Sequence, residues 1–281
     1  MRRIFTFGVL FFSLMFATSS AQDAPNATTT SSWTVGYGHI NLLDQYLSPL
    51  VYSGSIFRGD YQSMHYLSLE TTRVSIQWSM KTSFGMEHNP AATNSIFYFS
   101  LQPGVGVHYH FRPTPHFKLL IGGIVDLFFA NKYSFANGNN PYSADLSTRL
   151  NASVIAQYNC HLGKMPLILR YSLTSPVIGG MFVPQYGESY YEIFTLKHLA
   201  HTILFTSYAN YLALQNSISA DFVLNRCTLR LSFYHDYDKH HGNSLYFETM
   251  QTAVSVGTVI NFAVFDHAKR KMPKNYHDIN R

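Results

Sequence analysis

Apolar and polar residues alternate along most of the chain after residue 32. The segment 73–81 shows the pattern clearly, because its even-numbered residues are apolar and its odd-numbered residues are polar. A period of two is typical of a β-strand with one apolar and one polar face. We therefore predict a chain built almost entirely of strands. The same period recurs at 95–111, 116–130, 147–161, 166–174, 227–237 and 249–265.

The connections between these segments are alternately short and long. Short turns are predicted at 112–115, 162–165 and 225–226, and longer polar stretches at 82–94, 131–146, 175–209 and 238–248. A hairpin inside 175–209, pairing 190–195 with 202–207, would raise the strand number from ten to twelve. An even number of antiparallel strands joined in this way is typical of outer-membrane barrels. The ten expected strands are 33–40, 50–63, 71–81, 95–111, 116–130, 147–161, 166–174, 210–224, 227–237 and 249–265.

Composition narrows the fold class. Only 12% of the residues are charged, while 16% are aromatic; an ordinary soluble domain has ~25% charged residues. A helical membrane protein would need several apolar runs of ~20 residues, and the chain has only one long apolar run, the shorter stretch at 4–16. In a transmembrane barrel, lipid-facing apolar and lumen-facing polar residues cancel in the mean hydropathy, which is near zero here. We therefore predict an all-β fold, a transmembrane antiparallel β-barrel of about ten strands.

The chain divides into four regions. A basic start, a short apolar core and small residues make 1–21 a predicted signal peptide. A polar leader at 22–32 precedes the barrel domain at 33–265, and a basic tail follows at 266–281. We expect the barrel to lie in the outer membrane of a Gram-negative cell, with the tail in the periplasm. The formal net charge of +5 falls to +3 once Arg2 and Arg3 are removed, which argues against a nucleic-acid partner.

Two segments carry a family resemblance. Residues 41–54, beginning Asn-Leu-Leu-Asp-Gln-Tyr, and residues 184–194, Pro-Gln-Tyr-Gly-Glu-Ser-Tyr-Tyr-Glu-Ile-Phe, are similar to two motifs of an uncharacterised family of Bacteroidota outer-membrane β-barrel proteins. The stretch 216–222 also fits that family. The resemblance implies an exported protein with a barrel fold. It implies no activity, because the family is one of unknown function.

Five charged residues are predicted to point into the lumen. Charges in a low-dielectric barrel interior must be paired, so we expect a shared network that fills the lumen. The same residues would otherwise form the charged constriction of a narrow pore. A ten-stranded barrel leaves little free lumen, so wide-pore diffusion is not expected. The five residues are Arg73, Asp126, Arg170, Asp221 and Arg230.

A long aromatic loop is the second candidate site. Gly and Pro residues between 176 and 187 interrupt strand pairing, so this loop is expected to fold over the barrel mouth. Its residues form either a structural cap or a surface for a ligand or partner. The candidates are Tyr186, Tyr190, Tyr191 and Glu192.

The segment 235–242 gathers three His and two Asp residues at the outer end of a predicted strand. Imidazole and carboxylate groups suit a transition metal, which makes His235, Asp238, His240 and His241 weak metal candidates. Adjacent strand residues point to opposite faces, so a solvated loop in contact with lipopolysaccharide is the favoured interpretation. We predict no metal site and no cofactor.

These observations favour a non-enzymatic barrel: a narrow channel, an envelope scaffold or an accessory subunit of an outer-membrane complex. The alternative is an outer-membrane hydrolase of the phospholipase or rim-protease type. A Ser nucleophile with a His base two residues before it would share one strand face, but no His-x-Ser sequence occurs in the chain. The expected partners are outer-membrane lipid and lipopolysaccharide, and other envelope proteins through the tail.

Overall fold

The computed structural model describes residues 28–67, 73–138, 140–185, 187–195, 201–224 and 227–263. The predicted signal peptide and basic tail lie outside the described residues. One short helix, α1, spans Tyr190–Phe194, and no helix of the described residues is long and apolar enough to cross a membrane. The strands are β1 Thr28–Asp44, β2 Ser48–Tyr66, β3 Val74–His88, β4 Ser95–Phe111, β5 Phe117–Ser134, β6 Tyr142–Leu162, β7 Met165–Phe182, β8 Ile203–Ser207, β9 Tyr211–Val223, β10 Thr228–Gly242 and β11 Leu245–Ala263.

Ten of these strands close into an antiparallel barrel. Each strand from β1 to β7 pairs with the next, β7 pairs with β9, and β9, β10 and β11 follow in order. The ring closes where β11 pairs with β1, from Thr28↔Ala263 to Asp44↔Phe247. The two strands approach closely at Gly257, where a Cβ would overlap the carbonyl oxygen of Trp33. The predicted ten-stranded transmembrane-type barrel is therefore confirmed.

The eleventh strand, β8, does not add a strand to the ring, because it shares its position in the wall with β9. β8 pairs with residues 178–182 of β7, whereas β9 pairs with residues 167–174 of the same strand. β8 and β9 run in the same direction and are thus two pieces of one strand of the wall, interrupted at 208–210. The alternative of an extra hairpin is wrong, because residues 190–194 form α1 instead of a strand.

Side-chain burial alternates along the strands as a barrel requires. On β6, the even-numbered residues Leu146 and Leu150 are exposed on the outside, whereas the odd-numbered Ser147, Arg149 and Asn151 are buried in the lumen. Outward apolar side chains therefore form the wall that faces lipid, and polar side chains fill the interior.

The two ends of the barrel differ. The chain enters at Thr28 and leaves at Ala263 at one end, which we call the terminal end. Its connections include the tight turn at 163–164 and the connection between β9 and β10, where the N–H of Leu224 donates to the carbonyl of Cys227. The opposite end, called the helix end, carries the connection 183–202 that contains α1.

Several predicted boundaries are wrong because the strands are longer than expected. β1 begins at Thr28, inside the predicted leader; its polar residues Thr30, Ser32 and Thr34 are buried in the lumen, and in sequence they resemble a polar linker. Residues 82–88, 131–134 and 238–242, predicted as loops, continue β3, β5 and β10. Polar and charged side chains buried in the lumen made these strand ends resemble loop sequence.

Arginine on the outer wall should destabilise the barrel in a bilayer. Leu231 and Val256 are paired neighbours on β10 and β11 and are 46% and 48% exposed. We expect Leu231→Arg or Val256→Arg to lower the free energy of unfolding by ~2–4 kcal/mol, as charges do near the membrane midplane. Urea unfolding in phospholipid vesicles measures the change. Leu162→Arg, at the terminal-end turn, is the control and should cost ~0–1 kcal/mol; equal costs at the two positions would contradict the assigned wall.

Candidate functional site in the barrel lumen

Arg58 binds two carboxylates, one on its own strand and one on a strand that is not adjacent to it in the barrel wall. It lies on β2, donates to Asp60 on the same strand at 2.9 Å, and donates to Asp236 on β10 at 2.6 Å. Its guanidinium also lies 4.1 Å from the ring centroid of Tyr234. Because β1 and β11 separate β2 from β10, this bridge runs through the lumen.

Lys132 forms a second bridge near the helix end. Its ammonium donates to Asp44 at 2.8 Å and contacts Asp145 at 2.6 Å. Asp44 also accepts from Ser143 at 2.7 Å and from the backbone N–H of Tyr46 at 2.9 Å. Lys132 stands on β5 and Asp44 on β1, so the contact joins opposite sides of the barrel.

Arg149 forms the third bridge. Its guanidinium binds Asp126 through two nitrogens, at 2.8 and 3.1 Å, and reaches Asp238 on β10 at 3.3 Å. Tyr211 completes the group by donating to Asp238 at 2.6 Å and accepting from Arg149 at 2.8 Å. His240 stacks on the Tyr211 ring, with centroids 5.3 Å apart. We call Arg58, Lys132, Arg149 and the six carboxylates they bind the lumen bridges.

The five residues predicted as one network lie in different surroundings. Asp221 and Arg230 form a two-nitrogen pair at 2.6 and 2.7 Å, and Asp126 binds Arg149 instead of a predicted partner. Arg170 donates to Gln157 at 3.2 Å. The prediction is wrong for Arg73, which does not point into the lumen. It precedes β3 at the exposed terminal end and donates to the hydroxyl of Tyr109. A shared alternation does not reveal that a residue lies beyond the end of its strand.

A polar cavity of ≈ 80 Å³ lies in the lumen between the bridges and the terminal end. Lys81 lines it and donates to the side-chain oxygen of Gln215 at 2.7 Å. Gln215 in turn exchanges hydrogen bonds with Gln102. The lining is mostly hydroxyl and amide groups, which favours water or a small polar solute over an apolar ligand.

Apolar layers close the lumen beyond the polar residues. At the terminal end, Met64, Tyr66, Leu120 and Ile155 form one cluster. Two further clusters occupy the helix end; their principal members are Ile40, Leu42, Ile56, Ile96, Tyr98, Met181, Val183, Leu245 and Phe247.

The helix-end loop forms a cap. Ser189 begins α1 with a capping box, in which its side chain accepts from the N–H of Glu192 and Glu192 accepts from the N–H of Ser189. The Tyr190 hydroxyl accepts from the N–H of Ala144 at 2.7 Å, and its ring packs against Tyr46. Burial raises the pKa of Tyr190, so this hydroxyl stays protonated. Tyr190 and Glu192 therefore hold the cap, whereas Tyr191 is 64% exposed; Tyr186 lies outside the described residues.

The weak metal candidates are split between the two faces of β10. Asp238 and His240 point into the lumen, where Asp238 is occupied by Arg149 and Tyr211, while His235 bonds Thr252 and His241 is exposed. Across the described part of the chain, no three His, Cys, Asp or Glu side chains are placed to hold a metal ion.

Two Ser–His pairs occur in the lumen. His108 Nε2 lies 3.0 Å from Ser153 Oγ, and His110 Nε2 lies 2.7 Å from Ser75 Oγ. A catalytic triad needs a carboxylate at Nδ1 to orient the base. Neither Nδ1 has a hydrogen-bond partner among the described residues, and both rings are buried. The pairs therefore lack the third group of a triad.

A protein-family model of unknown function, DUF3316, matches residues 4–269. The chain belongs to this family. The match covers both motifs on which the family resemblance was stated, so the resemblance to a family of unknown function is confirmed. A comparison with curated proteins finds no match.

Solved structures of outer-membrane barrels are similar to this DUF3316 protein in architecture. The outer membrane protease OmpT from Escherichia coli has 9% identity and a TM-score of 0.45, with 88% of this chain and 100% of that chain covered. Neisserial surface protein A has 9% identity and a TM-score of 0.34, with 83% and 97% covered. The Yersinia pestis protein Ail has 8% identity and a TM-score of 0.33, with 83% and 99% covered. Likeness at this level concerns the barrel alone.

Most of the lumen bridges were missed at the level of sequence. Arg149 continues the inward series of Asn151 and Ser153, and Lys132 continues that of Asp126. Arg149 lies inside the predicted strand 147–161, and extending the alternation of 116–130 by two residues would have placed Lys132 in the lumen of the DUF3316 barrel as well. No sequence signal pairs Arg58 with Asp236, because the contact depends on barrel closure.

Removing one partner of the Asp221–Arg230 pair should lower the free energy of unfolding by more than removing both. We expect Arg230→Leu to lower the free energy of unfolding by ~3–5 kcal/mol, because Asp221 is left buried and unpaired. The double variant Asp221→Leu with Arg230→Leu should lose less than the single variant. Arg73→Leu at the exposed rim is the control and should change stability by ~0.5 kcal/mol or less. Additive single and double effects in vesicle unfolding would contradict the pairing.

Glu87 should be a source of instability. It is fully buried in the helix-end layer, and neither carboxyl oxygen has a hydrogen-bond partner among the described residues. An unsatisfied buried polar group costs ~1–3 kcal/mol, so Glu87→Leu should raise the free energy of unfolding by that order. Glu248→Gln, at a half-exposed site bonded to Tyr246, is the control. A destabilised Glu87→Leu protein would show that the carboxyl contributes to the fold.

Proposed function

We propose that this DUF3316 protein is a non-enzymatic integral protein of the Gram-negative outer membrane, a closed barrel that acts as an envelope scaffold or accessory subunit. Its terminal end faces the periplasm and its helix end faces outward. The bilayer contacts are with phospholipid and lipopolysaccharide. The tail at 266–281, which lies outside the described residues, is the predicted periplasmic contact for partner proteins.

The wall supports the membrane location. Outward side chains such as Val105, Val125 and Leu229 are apolar and between 38% and 48% exposed. The longest connection, 183–202, lies at the end opposite both termini of the barrel, and outer-membrane barrels carry their longer loops on the outside.

The lumen bridges carry the proposal of a closed barrel. Arg58, Lys132 and Arg149 each join carboxylates from strands that are not neighbours, so their side chains cross the interior. Apolar layers and the Tyr190 cap lie beyond them. A solute would have to separate desolvated ion pairs to pass, and each unpaired charge costs several kcal/mol.

Two other functions receive less support. A narrow channel is favoured only by the ≈ 80 Å³ polar cavity, which is closed by the bridges on one side. A hydrolase would need an oriented base, and His108 and His110 lack a carboxylate at Nδ1 among the described residues.

Electrical recording tests whether the barrel is closed. We expect the purified full chain in planar bilayers to show no ion conductance. The variant Lys132→Met, Asp44→Asn, Asp145→Asn removes one bridge without leaving charges, and it should conduct if the remaining bridges move apart. Heat-modifiable migration in gels checks that each protein is folded. Steady conductance of the unmodified barrel would overturn the closed state and favour a channel.

The location is tested independently by density fractionation of the producing cells. We expect the protein in the outer-membrane fraction and resistant to extraction at high salt. Recovery in the inner-membrane or soluble fraction would overturn the proposal.

A further inference from the structure

Charge is segregated between the two ends of the barrel. In sequence, the four connections at the terminal end carry Arg73, Arg112, Lys164 and Arg226 against the single acidic Glu70. Of these, the described Arg73, Arg112 and Lys164 are exposed. No exposed carboxylate accompanies them in the part of this end that the structure describes. The terminal end is therefore a basic rim.

The basic rim lies directly beside outward aromatic side chains. Arg73 donates to the hydroxyl of Tyr109, which is 39% exposed on the outer wall. Phe111 and Tyr158 are also exposed at this level, on β4 and β6. Aromatic rings of this kind occupy the interface between headgroups and acyl chains. The cations consequently stand at headgroup level.

One turn of the rim forms a concave site. Arg112, Thr114, His116, Lys118 and Asn159 line a cavity of ≈ 290 Å³ at the β4–β5 turn. The turn is held in shape by the N–H of Phe117, which donates to Thr114 Oγ1 at 3.0 Å, and by the N–H of Asn159, which donates to the carbonyl of His116 at 2.8 Å. Pro113 and Pro115 further restrict its backbone.

We propose that this turn, together with Arg73 and Lys164 of the same basic rim, binds the phosphate of an anionic phospholipid in the periplasmic leaflet. Guanidinium and ammonium groups bind phosphate oxygens through charge-assisted hydrogen bonds. The adjacent aromatic wall receives the acyl chains, which a free phosphate ion would not use. The inference rests on the proposed membrane location and adds the lipid class and the residues that select it.

Native mass spectrometry of the full chain in detergent tests the site. We expect phosphatidylglycerol to bind at least about tenfold more tightly than phosphatidylethanolamine, since each cation near an anionic lipid contributes a several-fold gain. Arg73→Gln, Arg112→Gln, Lys164→Gln should abolish that preference. Lys239→Gln, a charge change at the helix end, should leave it unchanged. Gel mobility of the folded barrel is compared for all variants.

Three outcomes would overturn the inference. Equal binding of the two phospholipids would remove the headgroup selectivity. A preference that survives the triple substitution would place the site elsewhere. Displacement of phosphatidylglycerol by inorganic phosphate at similar concentration would assign the site to the free anion. Failure to reach the outer-membrane fraction would instead overturn the proposed location, so the two failures are distinguishable.

Discussion

The interior of this barrel depends on basic side chains that each hold two carboxylates. A buried charge left without a partner costs several kcal/mol, so Arg58, Lys132 and Arg149 can remain in the lumen only while their aspartates are in place. In each case at least one aspartate comes from a strand that is not adjacent to the strand of the cation. The closed wall and the lumen bridges therefore require each other: closure brings the charges together, and the paired charges occupy the space that closure encloses.

The cap at the helix end is connected to the same interaction. Asp44, which binds Lys132, also accepts from the backbone N–H of Tyr46. Tyr46 donates to the carbonyl of Glu188 and packs against Tyr190. An unbroken chain of contacts thus runs from the lumen charge to α1. Opening the mouth would disturb both ends of this chain, which is consistent with a barrel that serves as a scaffold.

Apolar and charged residues are distributed unevenly over the outer wall and the two ends of the barrel. Apolar side chains cover the wall, the basic rim lies at the terminal end, and acidic residues such as Glu188, Glu192 and Glu248 lie at the helix end. This arrangement gives the proposed orientation a physical basis, since cations are stabilised by anionic headgroups within about a Debye length of ~10 Å.

The sequence by itself determined the strand class, the barrel architecture and the inward position of Asp126, Asp221 and Arg230. The reason is local: side chains alternate across a strand, and a membrane rewards apolar residues on one face. Only the tertiary structure decided which charges meet. Arg58 contacts Asp236 because ring closure brings residues that are 178 positions apart into one lumen. Arg73 is not part of the charge network because β3 begins one residue after it. Alternation identifies the face of a residue, but partners across a lumen depend on closure, register and strand ends, which no local pattern encodes.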